Sequence, residues 1–302
     1  MSLKYLIKVL WFSGYRIYRL IFNSKPMMRF AVKFLLILVL FSHLGGCLYL
    51  LNDIKNRQDL DISSLSSVIR SHPRDPEGYN VRGVVYGEYG KFYEALQDFQ
   101  KALHLDRLYY KAYVNRALVY YKMGNFPMAL KDYNSALSIN PNYSVAYIGR
   151  GDVYRTKYYN NPIKALEDFN YAIKLKTPDS AKAFYGRALV YQVLGKHEKA
   201  IDDFSKAMSL SSLYADHYNG RGISYLAIKD YNNAIEDFKI AISINPGVAK
   251  FWFNQGFAYE MHADYEDALM SYNKSLSIDY NDNKTRDAIS RMKDLLKSNS
   301  FF

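Results

Sequence analysis

Three stretches of the chain, YNVRGVVYGEYGKFYEALQDFQKALHLD, YVNRALVYYKMGNFPMALKDYNSALSINP and YNGRGISYLAIKDYNNAIEDFKIAISINP, align as one recurring unit with a period of 34 residues. A period of that length constrains the fold more than any single residue does. Each unit is too small to bury its own apolar face, so neighbours must stack into a solenoid. Six units fit, at residues 76–109, 110–143, 144–180, 181–214, 215–248 and 249–282. The eighth position of each is small (Gly83, Ala117, Gly151, Ala188, Gly222, Gly256), as are the twentieth (Ala95, Ala129, Ala165, Ala200, Ala234, Ala268) and the twenty-seventh (Ala102, Ala136, Ala172, Ala207, Ala241, Ser275). Small side chains there let a first helix, A, approach a second, B, and let B approach the next A. Rings recur at position 4 (Tyr79, Tyr113, Tyr147, Phe184, Tyr218, Trp252) and at position 11 (Tyr86, Tyr120, Tyr154, Tyr191, Tyr225, Tyr259), and they account for much of the chain's 30 tyrosines as packing.

Punctuation agrees with this register. Pro141 and Pro246 fall at position 32, where a missing N–H ends helix B, and Gly90, Gly124 and Gly195 sit in the A–B turns. Pro73 repeats that phase one unit earlier, so residues 62–75 read as a capping half-repeat with Leu65 and Val68 at core positions. At the other end, residues 283–302 read as a capping helix with Ala288, Met292 and Leu295 on one face. The third unit breaks the period. RTKYYNNPIKA adds two residues to its A–B turn, one more precedes the fourth unit, and Tyr158 and Tyr159 are expected to be more exposed than the patterned tyrosines.

The pattern resembles the tetratricopeptide repeat. The resemblance covers about two thirds of the chain and implies an all-α, right-handed superhelical solenoid of helix-turn-helix units that binds protein partners without catalysing a reaction. It also implies that helix A lines the inner surface, through positions 2, 5, 9 and 12. The expected partner-binding groove is Lys111, Val114, Leu118, Tyr121, Ile148, Arg155, Lys182, Tyr185, Leu189, Ile223, Leu226, Phe253 and Phe257, joined by Asp152, Gln192, Lys250 and Glu260. An apolar floor with charged rims suits an extended or helical segment of another protein. Some of these side chains are equally open to a reading as helix packing. Certain tetratricopeptide domains grip a C-terminal carboxylate with Lys and Asn one turn apart. Lys111, Asn115 and Lys182 resemble parts of that clamp, but Gly149 and Gly186 stand where its other polar side chains belong, which argues against it.

A correlation within the units predicts a further contact. Five have Arg at position 7 (Arg82, Arg116, Arg150, Arg187, Arg221), and the same five have Asp at position 23 (Asp98, Asp132, Asp168, Asp203, Asp237). The sixth has Gln255 and Ser271, so both members change together. Bridges between helices A and B of one repeat follow from that. Each is worth about 1 kcal/mol or less if exposed.

The sequence before the repeats speaks to location. The single cysteine, Cys47, follows basic Arg29 and Lys33, the apolar run FLLILVLF and the residues Leu44-Gly45-Gly46. These are the three regions of a secretory signal in order. Leu44-Gly45-Gly46-Cys47 resembles the lipobox of bacterial lipoproteins, which implies a leader of residues 1–46, cleavage before Cys47 and acylation of its sulfur. Residues 47–61 would then be a lipidated N-terminus and tether. The rival reading is an uncleaved anchor, because Phe30 to Leu51 is apolar apart from Lys33, Ser42 and His43 and about 20 such residues span a bilayer. The apolar run after Cys47 departs from the polar tether usual in mature lipoproteins. Residues 1–33 hold Lys4, Lys8, Arg16, Arg19, Lys25, Arg29 and Lys33 and no acid, so both readings keep that end cytoplasmic and export the repeats. A leader of ordinary length would start at Met27 or Met28, and residues 1–26 read either as upstream sequence or as a basic amphipathic segment on the inner leaflet.

Composition narrows the function classes. The formal charge is +11, but taking those seven basic residues from the total of 40 leaves 33 against 29 acids, near +4, with no basic block of five or more. Nucleic-acid binding is not supported. Six scattered histidines and one cysteine lack metal-ligand spacing, no Gly-rich phosphate loop occurs, and about 20 residues after 282 are too few for a catalytic domain. The expected molecule has no cofactor and no small-molecule substrate. It is a lipid-anchored periplasmic scaffold, on the outer membrane by the resemblance, with a protein or peptide partner. The alternatives are an inner-membrane single-span scaffold and a co-chaperone.

Overall fold

The computed structural model describes residues 61–211 and 214–299, and every regular element among them is an α-helix. The chain divides into two units between Ser71 and His72. Within the first, residues 61–71 form helix α1, which overlaps the segment 62–75 expected as a half-repeat. Cys47, the leader and the apolar run at 30–51 lie outside the described residues. Among those described, no helix is long and apolar enough to cross a membrane.

The second unit carries six helix pairs and a final helix. Helices α2 (Pro76–Glu88) and α3 (Phe92–Leu105) are the first A and B. They are followed by α4 (Tyr110–Lys122) and α5 (Phe126–Ile139), α6 (Ser144–Tyr154) and α7 (Pro162–Lys174), and α8 (Ser180–Val193) and α9 (His197–Leu210). Then come α10 (Ala215–Ala227) and α11 (Tyr231–Ile244), α12 (Ala249–Met261) and α13 (Tyr265–Ile278), and α14 (Asn283–Asn299). Each A helix packs on its own B, each B on the next A, and each A also on the next A. That crowds the A helices together on one face, which makes it the inner one.

Local chemistry sets the ends. Asp75, Asn125, Asn161 and Asp230 accept hydrogen bonds from backbone N–H groups in the first turns of α2, α5, α7 and α11. Such caps satisfy donors that a helix leaves unpaired. The A–B turns need a left-handed residue, supplied by Gly90, Gly124 and Gly195 at φ near +70°. In the last two repeats Lys229 (φ 64°) and Ala263 (φ 69°) adopt the same conformation at a steric cost.

The core is a row of rings at position 24 that the sequence reading did not single out: Phe99, Tyr133, Phe169, Phe204, Phe238 and Tyr272, all at most 2% exposed. These rings explain the small position 8. A Cβ on Gly83, Gly222 or Gly256 would stand 2.8 Å from the ring of its own repeat. They also reach the following repeat, where a Cβ on Gly186 would come within 2.5 Å of the Phe169 ring. One ring thus locks its own A helix and the next one.

The rings at positions 4 and 11 are half-buried. Arg82 lies 5.9 and 5.8 Å from the ring centres of Tyr79 and Tyr86, and Arg187 and Arg221 sit likewise between Phe184 and Tyr191 and between Tyr218 and Tyr225. Spacing of three and four residues puts these groups on one helix face. The guanidinium is thereby held flat for its partner. All five Arg–Asp bridges form within repeats, each bidentate, with contacts of 2.6–2.9 Å. The carboxylates are buried, so the premise of an exposed pair does not hold. The Arg150–Asp168 pair is 18 residues apart instead of 16, which locates the two-residue insertion between α6 and α7.

At the C-terminal end, Ala288 and Met292 are buried against Ala268 and Tyr272, with Leu295 beside them. Ile289 joins that face as well.

Candidate functional site: the inner face of the A helices

Position 9 is the most informative row of the inner face. It runs Val84, Leu118, Asp152, Leu189, Ile223 and Phe257, one side chain per repeat on consecutive A helices. Leu118, Ile223 and Phe257 are exposed, and Leu189 is half-buried. Three of the six are apolar carbon held in water, in the second, fifth and sixth repeats.

The other expected groove residues divide by depth. Val114 (4% exposed) and Ile148 (8%) are closed into core clusters, so the expectation that they face a partner is corrected: position 5 points at the neighbouring helix when its side chain is aliphatic. Tyr185 and Phe253 at the same position are half-buried, with Tyr185 resting 5.8 Å from Phe204 and Phe253 resting 5.4 Å from Tyr272. Tyr121 and Leu226 are half-buried too. Lys111 and Lys182 are exposed. Lys182 and Tyr185 share a cleft of about 390 Å³ with Asp179, Tyr214 and His217.

Midway along the row the floor becomes charged. Arg155 Nε donates to Asp152 Oδ1 at 2.6 Å, and both side chains stay about a third exposed. The walls of the face raise the Asp152 carboxyl through desolvation, against the pull of Arg155. Burial also raises the phenols of Tyr121 and Tyr185, each with a nearby carboxylate adding to it. The pair is therefore a neutral but strongly polar island in an apolar strip.

Sequence reading missed the amides that join adjacent A helices. Asn115 Nδ2 donates to Asn80 Oδ1 at 2.9 Å, Asn254 Nδ2 to Asn219 Oδ1 at 2.8 Å, and Gln192 Nε2 to the Gly220 carbonyl at 2.7 Å. Asn at positions 5 and 6 of successive units was the available signal. This network also disposes of the carboxylate clamp. Asn115 is held by Asn80, while a side chain at Gly149 or Gly186 would collide with Tyr133 or Phe169. Among the described residues no group of His, Cys, Asp and Glu is placed to hold a metal ion.

Four segments, residues 76–107, 110–143, 181–212 and 215–248, match the family described as Tetratricopeptide repeat. No curated protein matches the chain. Among solved structures, it is similar to the hetero-tetramer Cut9–Hcn1 of the APC/C, with a TM-score of 0.69 and 20% identity over 79% of this chain and 46% of that one. This chain therefore spans less than half the length of that neighbour. A tetratricopeptide repeat protein from Parabacteroides merdae gives a TM-score of 0.56 and 24% identity over 77% of this chain and 91% of its own. YrrB, a tetratricopeptide protein with an unusual peptide-binding site, gives 0.52 and 22% over 65% and 97%. The described repeats are an all-α tetratricopeptide-repeat solenoid, a fold that supports a protein–protein interaction scaffold.

Proposed function

We propose that the chain is a membrane-held scaffold that takes an extended or helical segment of a partner protein along its inner face. The observation that carries the reading is the exposed apolar carbon on the inner face, Leu118 in the second repeat and the neighbouring Ile223 and Phe257 in the fifth and sixth. Covering it removes apolar surface from water at roughly 25 cal/mol per Å², and Lys111 and Lys182 on the rim orient an acidic or amidic partner backbone. The unusual peptide-binding site of YrrB is an analogy that supports the same reading. Photo-crosslinkers at positions 118 and 223 of the full chain test it in envelope fractions. A common partner captured at both, and lost with Phe257→Glu, is the expected result; capture equal to that from outward position 209 rejects the groove.

The site of attachment is proposed as Cys47, acylated after removal of residues 1–46, with the solenoid on the periplasmic face of an outer membrane. Support comes from the order of basic, apolar and Leu-Gly-Gly-Cys segments in the sequence. Intact-mass measurement of the membrane-extracted chain decides it. A chain beginning at Cys47 with added acyl mass is expected, and an unprocessed chain with a free thiol favours the uncleaved anchor.

A further inference from the structure

A second exposed surface lies at one edge of the solenoid. Neighbouring A helices run parallel, so their C-terminal ends and the A–B turns share that edge. In the turns of repeats two to four the tips are apolar: Met123, Tyr158 (63% exposed), Ile163 and Val193 (76%) all face water. Between them stand Lys122, Lys157, Lys164, Lys196 and Lys199, all exposed. In segments 122–126, 155–164 and 193–199 the only acid is Glu198. Arg155, which also falls there, is neutralised by Asp152.

The three turns form one surface. The Phe126 and Tyr158 rings lie 5.7 Å apart, joining the second turn to the third. Arg155, Asn160 and Val193 line one hollow of about 50 Å³, joining the third to the fourth. The opposite edge of the same repeats differs. Segments 106–109, 140–143 and 175–179 hold Asp106 and Asp179 against Arg107 and Lys176, with no net charge.

Single exposed apolar residues are ordinary. Protruding apolar and aromatic tips interleaved with five cations, all on one edge, fit the headgroup layer of an anionic bilayer: the tips enter the interface while the lysine ammoniums stay at phosphate level. A folded acidic protein would supply the charge but needs receptacles for its own side chains. The hollow between the third and fourth turns has room for no more than a water or two, and the larger one beside Pro127 and Tyr159 opens onto Leu130, Lys131 and Asn134 of helix B, not between the tips.

We propose that this edge lies on a leaflet containing anionic phospholipid, with Tyr158 and Val193 in the headgroup layer. The inner face of the A helices stays open to its partner in that pose. The proposal holds for either fate of Cys47 and does not need the groove.

A full-length Cys47→Ser chain carrying an environment-sensitive dye at Val193→Cys, or at Asn142→Cys on the opposite edge, tests it with phosphatidylglycerol-containing vesicles and with pure phosphatidylcholine vesicles. The expected result is a blue shift at 193 on phosphatidylglycerol only, none at 142, and loss of the shift when Lys157, Lys164, Lys196 and Lys199 are changed to Glu. That variant, shown by circular dichroism to keep its helices, should need about tenfold or more lipid to reach the same signal. Failure of 193 to shift on vesicles that sediment the chain, an equal shift at 142, or an unaltered lipid requirement in the lysine variant each overturns the proposal.

Discussion

In repeats one to five a guanidinium and a carboxylate join helix A to helix B; in repeat six Ser271 donates to Gln255 at 3.1 Å and the joint is neutral. The charge has not vanished from that end of the molecule but has moved outward. Tyr272 uses the hydroxyl that most position-24 rings lack to donate to Glu260 at 2.7 Å, and Arg291 of α14 donates to both oxygens of the same carboxylate. The rings that flank Arg82, Arg187 and Arg221 come from the same A helix and persist in repeat six as Trp252 and Tyr259. What differs there is the neighbour: the sixth repeat packs on the single capping helix α14. The comparison teaches that the joint must be satisfied and need not be charged. A buried pair that replaces water is close to neutral in net worth, but half of one is costly.

The largest effect tests that asymmetry. Arg116→Leu should cost about 3–5 kcal/mol, because Asp132, 1% exposed, loses both hydrogen bonds from its charged partner. Arg116→Leu with Asp132→Leu should recover most of it. Urea unfolding of the two variants makes the comparison, and equal losses would mean that the pair itself, not the stranded carboxyl, carries the energy.

Next in size is the outward pair. Arg291→Ala should cost only about 1 kcal/mol, since that side chain is half exposed. The loss should be local: amide exchange should quicken in 283–299 and leave 76–244 unchanged, as expected of a solenoid whose units interact with nearest neighbours.

Acidity separates the two ends. Burial raises the Glu260 carboxyl, but the hydrogen bonds from Arg291 and Tyr272 outweigh it and hold it below the usual range. Its contribution is therefore complete above the unfolded value near 4.3 and is lost as pH falls through the depressed folded value. Burial holds the Asp168 and Asp237 carboxyls above the usual range despite Arg150 and Arg221, so their protonation favours the folded chain and acid does not release them in the same way. Exchange measured on stepping below pH 4 should show α14 opening first. Simultaneous opening of the first five repeats would contradict that order.

The smallest effect is a graft. Gln255→Arg with Ser271→Asp rebuilds the bridge in repeat six, and the change in stability should stay within about 1 kcal/mol in either direction. A larger gain would show that charge at this joint is worth more than satisfaction alone.

The period of 34 made much of the fold legible, because helix ends, small positions and the Arg–Asp pairing all recur with it. Recurrence within one chain served as its own alignment: Gln255 and Ser271 changing together placed the bridge inside the repeat. The inner face was legible only in part. Position 5 holds Val114, Ile148, Tyr185 and Phe253, and hydrophobicity alone assigns all four to the groove, yet the two aliphatic ones are buried while the rings stay half-open. The amide links, Asn115 to Asn80 and Asn254 to Asn219, were hidden because asparagine on a helix reads equally well as a solvated residue. Tyr158 is exposed as its insertion suggested, whereas Tyr159 turns back onto Tyr154 and is half-buried.

By itself the sequence determined the number of units, the register of helix against helix and the partners in each bridge, because these depend on spacing along the chain. Only the tertiary structure decided which side chains of a helix face stay in water and that the A–B turns of three repeats present lysines and apolar tips on one edge. Those features depend on how closely one helix approaches the next. That distance is set by the position-24 rings wedged against a glycine of their own repeat (Phe99, Phe169, Phe238, Tyr272) or of the following one (Tyr133, Phe169, Phe204), a contact between residues the linear pattern does not bring together.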